Sequence, residues 1–234
     1  MSKVITFLCA GGLGDAAMCF AKLSSSKAPF PYDIDRFKIT HMVHKGTDEI
    51  LSEQISKFYS SQGINSEIVV VTSWSKALSA DGFDYVLDGG WKGNKECWEI
   101  NPFPEIKYKS IDGVDVVLVV ASGYSCNRKF APLDIRRFID QNKNRKITIT
   151  GVNIRDPEYL NIHGDNRINN MEFMDYMNAI CCCNTIISPN GFSCYLSGMA
   201  KRKVFYTSDG IGTTGNMHPD WNKVEIHNLA EVKL

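Results

Sequence analysis

Short runs of apolar and β-branched residues recur along the chain, separated by stretches in which apolar positions return every three or four residues. The runs are Val4–Leu8, Lys38–Val43, Glu67–Val71, Tyr85–Leu87, Val114–Val120, Lys146–Thr150, Thr185–Ser188 and Val204–Tyr206. Hydrophobicity in them is continuous rather than alternating, as in "VDVVLVV". This predicts strands buried on both faces, the habit of parallel sheets covered by helices. The stretches between them predict amphipathic helices. One begins near Gly14 and buries Ala17, Phe20 and Leu23. Thr47 to Gln62 has apolar residues at 50, 51, 55, 58 and 59, with Asp48 and Glu49 in its first turn. Pro132 to Gln141 and Met171 to Cys181 keep the same period, and a short helix of small residues runs from Ser193 to Ala200. Strands alternating with helices predict the α/β class.

Both periods fail between Gly89 and Gly113, where Gly, Pro, aromatic and charged residues crowd together. This stretch reads as a linker or crossing segment, and its Trp91 and Trp98 either line a cleft or pack over a sheet edge. On each side of it the strand, loop, helix order restarts. The layout therefore predicts two α/β lobes, 1–100 and 113–234, with a linker at 101–112.

Composition narrows the function classes. Hydrophobic content of 44% with 22% charged residues suits a soluble globular protein. Lys plus Arg equal Asp plus Glu at 26 each, so no overall field draws the chain to nucleic acid or an anionic membrane. No apolar run approaches the roughly 20 residues that span a bilayer, and no signal-peptide pattern opens the chain, which points to a cytoplasmic protein. The eight cysteines read as reduced and mostly buried, with "CCCN" packing at a helix end before a strand. The five His residues are scattered, so no metal site is expected.

The chemistry concentrates in three turns. Gly11–Gly12–Leu13–Gly14 lacks the spacing of a dinucleotide or Walker loop but allows close backbone approach at the carboxyl edge of a parallel sheet. It is followed directly by Asp15, which either caps the helix or acts on a substrate. Arg128–Lys129, ahead of a Pro-started helix, hold a phosphate or face solvent. Asn190–Gly191 sit where a helix N-terminus can be aimed at an anion, or form a plain strand-to-helix turn.

In their order these stretches resemble the heptosyltransferase-like family of GT-B glycosyltransferases, as a compact member. The family's strand, small loop and Gly-Asp opening a helix is matched by Leu13–Gly14–Asp15–Ala16. Its basic, aromatic and Pro helix start is matched by Arg128–Lys129–Phe130–Ala131–Pro132. Its strand ending in Thr-Gly, with an acidic residue soon after, is matched by Thr150–Gly151 with Asp156 or Glu158. Its closing motif is matched by Ile186–Ser188, Asn190–Gly191, Leu196 to Ala200 and Val204–Tyr206. Asn190 stands in the Asp/Ser part of that motif, and Cys194 or Tyr195 replaces its His.

The resemblance implies two Rossmann-like lobes with parallel sheets and a nucleotide sugar bound mainly by the C-terminal lobe. Arg128, Lys129, Thr150, Gly151, Glu158, Asn190, Gly191 and Ser193 would bind this donor. Asp15 would be the base, carried on the loop of Gly11, Gly12 and Gly14. It further implies sugar transfer to an acceptor hydroxyl with inversion, no bound metal, and no cofactor beyond the nucleotide-sugar co-substrate. The acceptor stays open between a glycan, a protein and a modified (hydroxymethylated) base in phage DNA. A Lys/Ile/Asn/Ser-rich chain leans toward a phage or low-GC source, hence a host cytoplasm. The rival reading is a non-catalytic nucleotide- or glycan-binding α/β module in which Asp15 is only a cap. No G-x-S-x-G elbow appears, which disfavours a hydrolase on a similar frame.

Overall fold

The computed structural model describes residues 4–30, 36–44, 49–72, 81–87, 99–120, 129–151, 172–208 and 217–234. The chain divides into two compact units, Met1–Lys107 and Tyr108–Leu234, each built on its own parallel sheet.

The first unit runs β1 (Ile5–Ala10), α1 (Leu13–Leu23), β2 (Phe37–His44), α2 (Glu49–Ser61), β3 (Asn65–Val71) and β4 (Tyr85–Leu87). Its strands lie in the order β3-β2-β1-β4, all parallel. Phe7 anchors one side of the core, with ring centroids 5.2 Å from Phe30, 5.2 Å from Phe37 and 5.6 Å from Tyr85. On α1 and α2, Phe20 and Phe58 meet edge to face at 5.9 Å. The three-residue edge strand β4 is held to β1 by more than its ladder. The Asp84 carboxylate accepts both the amide (2.9 Å) and the hydroxyl (3.0 Å) of Thr6.

The second unit runs β5 (Val116–Val119), α3 (Pro132–Gln141), β6 (Ile147–Thr150), α4 (Phe173–Cys182), β7 (Thr185–Pro189), α5 (Phe192–Met199), β8 (Lys203–Thr207) and β9 (Lys223–Glu225). The order β6-β5-β7-β8-β9 is again wholly parallel. All four residues of β5 are buried, as their unbroken apolar run predicts. Cys181 and Cys183 pack into the interior where α4 ends, and burial pushes the Cys183 thiol up to about 12.

Strand β9 has no counterpart in the hydrophobic pattern. Only three residues long, it lies at a sheet edge, and its one apolar residue, Val224, is exposed. Beyond it the chain returns across the unit, and Ile226, Leu229 and Val232 join Phe130, Ile135, Phe138 and Ile147 in one cluster. A short 3₁₀ turn, Leu229–Glu231, is capped by the Asn228 side chain accepting the Ala230 amide.

The stretch expected as a linker contains the division between the units, and its described part is hydrogen-bonded on both sides of that point. Within the first unit, Gln62 accepts the Lys107 amide at 2.8 Å and donates to the Lys107 carbonyl at 3.1 Å. Asn101 donates to the Ser24 carbonyl past the end of α1. Within the second, the buried Asn178 accepts the Lys109 amide at 2.9 Å. Trp91 and Trp98 lie outside the described residues.

In the second unit Gly198 lies face down on the indole of Trp221. A Cβ at this position would stand 2.4 Å from the ring. Overpacking of this kind costs about 1–3 kcal/mol. Gly198→Ala is expected to lower the urea midpoint accordingly and to red-shift Trp221 fluorescence, since an indole forced off α5 moves from a site where it is now almost fully buried.

Candidate functional site

In an open parallel sheet, strand order that grows first to one side and then to the other leaves a crevice at the carboxyl edge where the direction changes. In the first unit the chain builds β1, β2 and β3 outward and then returns to lay β4 on the other side of β1. The change of direction falls beside the carboxyl end of β1, where Gly11 to Asp15 follow. In the second unit β5 pairs β6 on one side and β7 on the other. The change falls between the carboxyl ends of β5 and β7.

The Gly-rich turn is tied on every side. The Gly11 amide donates to the Met42 carbonyl at 3.1 Å, and the Ala16 amide closes the first helical bond to Gly12 at 3.1 Å. Asp15 folds back so that its Oδ2 accepts the Gly12 amide at 2.7 Å. That is the acidic half of a capping box, and Gly12, with no side chain, cannot supply the other half. The fold-back requires a bare Gly11. Its φ is +117°, and a Cβ there would sit 2.3 Å from Asp15 Oδ2. The cap reading of Asp15 is therefore a fact of the structure, with the carboxylate half-buried at the switch point.

Beneath the turn lies a buried polar group that the sequence did not single out. His41 on β2 is the register partner of Cys9 on β1. Its Nε2 is 3.2 Å from the Gly11 carbonyl, and its Nδ1 is 2.9 Å from the hydroxyl of Tyr59 on α2. Both His41 and Tyr59 are fully buried. Burial works to raise the Cys9 thiol, but hydrogen bonds from Cys19, His41 and Tyr59 and the charge of the imidazole outweigh it and bring it down to about 6. The same contact with Cys9, together with burial, pushes Cys19 up, and burial pushes Tyr59 up. An isolated His inside an apolar strand carries no sequence signal of its own; the β1–β2 register is what gives it partners.

Of the donor residues expected in the second unit, the described ones gather at one sheet edge. Thr150 ends β6, buried, with its carbonyl accepting the Val120 amide at 2.8 Å, and Gly151 follows it. Lys129, exposed, comes just before Phe130, whose amide bonds the Val120 carbonyl at 2.9 Å, so it stands at the end of β5. Asn190, Gly191 and Ser193 form the turn from β7 into α5, all buried, with the Asn190 amide on the Thr207 carbonyl at 3.0 Å. Ser193 Oγ is 2.8 Å from Ser188 Oγ and also meets the Tyr176 hydroxyl, which burial raises. Arg128, Asp156 and Glu158 lie outside the described residues. Among the described residues, no group of three or more His, Cys, Asp and Glu is placed to hold a metal ion, and no helix is long and apolar enough to cross a membrane.

Gly11→Ala combines a disfavoured φ with a clash against the Asp15 carboxylate, so about 1–3 kcal/mol of destabilisation is expected. Part of that cost is steric and specific to Asp15. Combining Gly11→Ala with Asp15→Ala should recover the part due to the carboxylate, leaving the contact with the Cβ at 15, and denaturant melts of the four proteins in this cycle measure it.

No family model matches the sequence, and no curated protein is similar to it. Solved structures are similar over nearly the whole chain. The E. coli heptosyltransferase WaaC with ADP shares 12% identity at a TM-score of 0.56, covering 97% of this chain and 94% of that one. The same enzyme with ADP-2-deoxy-2-fluoro heptose gives 11%, 0.58, 97% and 95%. A glycosyl transferase family 9 protein from Veillonella parvula gives 7%, 0.59, 97% and 88%. The chain thus has the fold of these heptosyltransferases, α/β with Rossmann-like parallel sheets.

Proposed function

We propose that the protein is a glycosyltransferase that moves a sugar from a nucleoside-diphosphate sugar to an acceptor hydroxyl. The observation that carries this reading is the position of the described candidate residues, which stand at the carboxyl edges of two parallel sheets beside their switch points, on a fold shared with enzymes solved with ADP and an ADP-sugar. The second unit is read as the donor side. Lys129 and Arg128 meet the diphosphate, the turn that follows Asn190 offers the backbone N–H groups at the start of α5, and Thr150–Gly151 with Glu158 meets the nucleoside.

Asp15 is read as the general base. The acceptor O–H passes its proton to the Asp15 carboxylate as the oxygen forms a bond to the anomeric carbon. The bond from that carbon to the donor phosphate breaks, and its electron pair leaves with the diphosphate. Attack opposite the leaving group inverts the anomeric centre. The reading assigns the leaving group's charge to side-chain cations and helix N–H groups rather than to a metal.

Asp15→Asn separates the base from the cap, because an amide oxygen still accepts the Gly12 amide but takes no proton. Loss of a general base lowers turnover by about 10²–10⁴-fold. Transfer by the purified chain, with a panel of nucleotide sugars first ranked by thermal shift, is expected to fall by that factor with donor affinity retained. Turnover near wild type would return Asp15 to the cap alone. Lys129→Ala is expected to weaken donor binding by about 1.5–3 kcal/mol, the range for hydrogen bonds to charged groups, with the melting temperature unchanged. Isothermal titration of the donor checks it.

A further inference from the structure

The Gly-rich turn is fastened to β2 through both polar atoms of Gly11. The amide bonds backbone, and the carbonyl bonds a side chain, the imidazole of His41. A carbonyl oxygen only accepts, so Nε2 carries a proton, an assignment made from the bonding partners. The orientation of the ring is set from behind by the Tyr59 hydroxyl at Nδ1. Neither group reaches the surface, since His41 and Tyr59 are both 0% exposed. Cys9 on β1 and Tyr59 on α2 adjoin the imidazole, Cys19 on α1 adjoins Cys9, and the charges of Asp15 and Lys22 on α1 act on this cluster through Cys19 and Tyr59. A buried imidazole is costly to desolvate where an aliphatic side chain would pack without penalty, so its presence calls for a task that leucine cannot do.

We propose that His41 is a positioning residue for Asp15: its Nε2–H, on a ring that Tyr59 orients at Nδ1, holds the Gly11 carbonyl and so fixes the Gly11–Gly12 peptide in the orientation that lets the Asp15 carboxylate reach the Gly12 amide. The proposal rests on the reading of Asp15 as base. Without that bond the Gly11–Gly12 peptide turns more freely, the Gly12 amide leaves Asp15 Oδ2, and the carboxylate samples other rotamers. Because the carbonyl needs a donor at the Nε2 position, glutamine at 41 retains the function and leucine does not. Removing the Tyr59 hydroxyl alone frees the ring while keeping its donor, a milder form of the same defect.

The test measures hydrogen exchange of the Gly12 amide by NMR in the full chain, for His41→Leu, His41→Gln and Tyr59→Phe. Exchange is expected to quicken about tenfold in His41→Leu, the effect of losing one hydrogen bond of roughly 1.4 kcal/mol, less in Tyr59→Phe, and little in His41→Gln. The buried Val43 amide on the same strand reports general loosening and is expected to hold. If His41→Leu fails to fold, Tyr59→Phe, which removes a single oxygen, carries the test. In the transfer assay, His41→Leu lowers kcat with donor KM unchanged, and the effect disappears in an Asp15→Asn background. Unchanged Gly12 exchange in His41→Leu and Tyr59→Phe, or failure of glutamine to rescue, overturns the proposal. So does an equal kcat loss with and without Asp15, because His41 then acts through the fold at large. Full turnover of Asp15→Asn alongside a loosened Gly12 amide identifies a different failure: the base reading falls, and His41 is reduced to a prop of the helix cap.

Discussion

Parallel strand pairing is the constraint from which the rest of this structure follows. Every ladder in both sheets is parallel, so every strand ends on the same edge as its neighbours, and every strand-to-helix turn collects there. A sheet grown in both directions from its first strand must send successive connections over opposite faces, which opens the edge where they part. The first unit puts its barest turn, Gly11–Gly12, at that place, and the second puts β5 and β7 there. Register carries the consequence inward. Pairing Cys9 with His41 brings an imidazole under the turn two residues further along β1, and α2 lays Tyr59 across it.

Capping and catalysis are not rival uses of Asp15 in this geometry. A carboxylate offers about four lone-pair positions, and the Gly12 amide occupies one of them. A cap contributes about 1 kcal/mol to the helix. A general base needs a fixed rotamer more than it needs that energy, and the cap supplies the fixed rotamer. The choice of Gly at 11 fits both uses, since its missing Cβ is what the folded-back carboxylate occupies.

The sequence made visible what depends on neighbours along the chain and hid what depends on neighbours in space. Eight of the nine described strands and all five described α-helices lie where the apolar runs and periods predict, with ends shifted by a residue or two, because buried parallel strands and amphipathic helices write continuous and 3.6-residue patterns. Strand β9 was invisible because its three residues carry no core: its partner β8 and the return of Ile226, Leu229 and Val232 over α3 give it a place. The Gly-rich turn and Asp15 could be picked out as candidates, since glycines between a strand and a helix are a local signal. His41 and Tyr59 could not, because 18 residues and a helix separate two groups whose hydroxyl and imidazole stand 2.9 Å apart.

The two turns at the sheet edges are built on opposite plans. At Gly11–Asp15 the backbone is held from below and the side chain of Asp15 stays half-buried at the rim. At Asn190–Ser193 the side chains face inward. Ser193 is tied to Ser188, Cys194 donates to the Pro189 carbonyl at 3.4 Å, and burial pushes the Cys194 thiol up to about 12, which keeps it neutral. Ser193 thereby helps to hold the start of α5 in place, alongside the donor contact proposed for it. On the proposed reading, chemistry at the first turn rests with one carboxylate. At the second turn the hydroxyls of Ser188 and Ser193, with Tyr176 beside Ser193, hold the start of α5, which on the proposed reading presents its N–H groups to the donor.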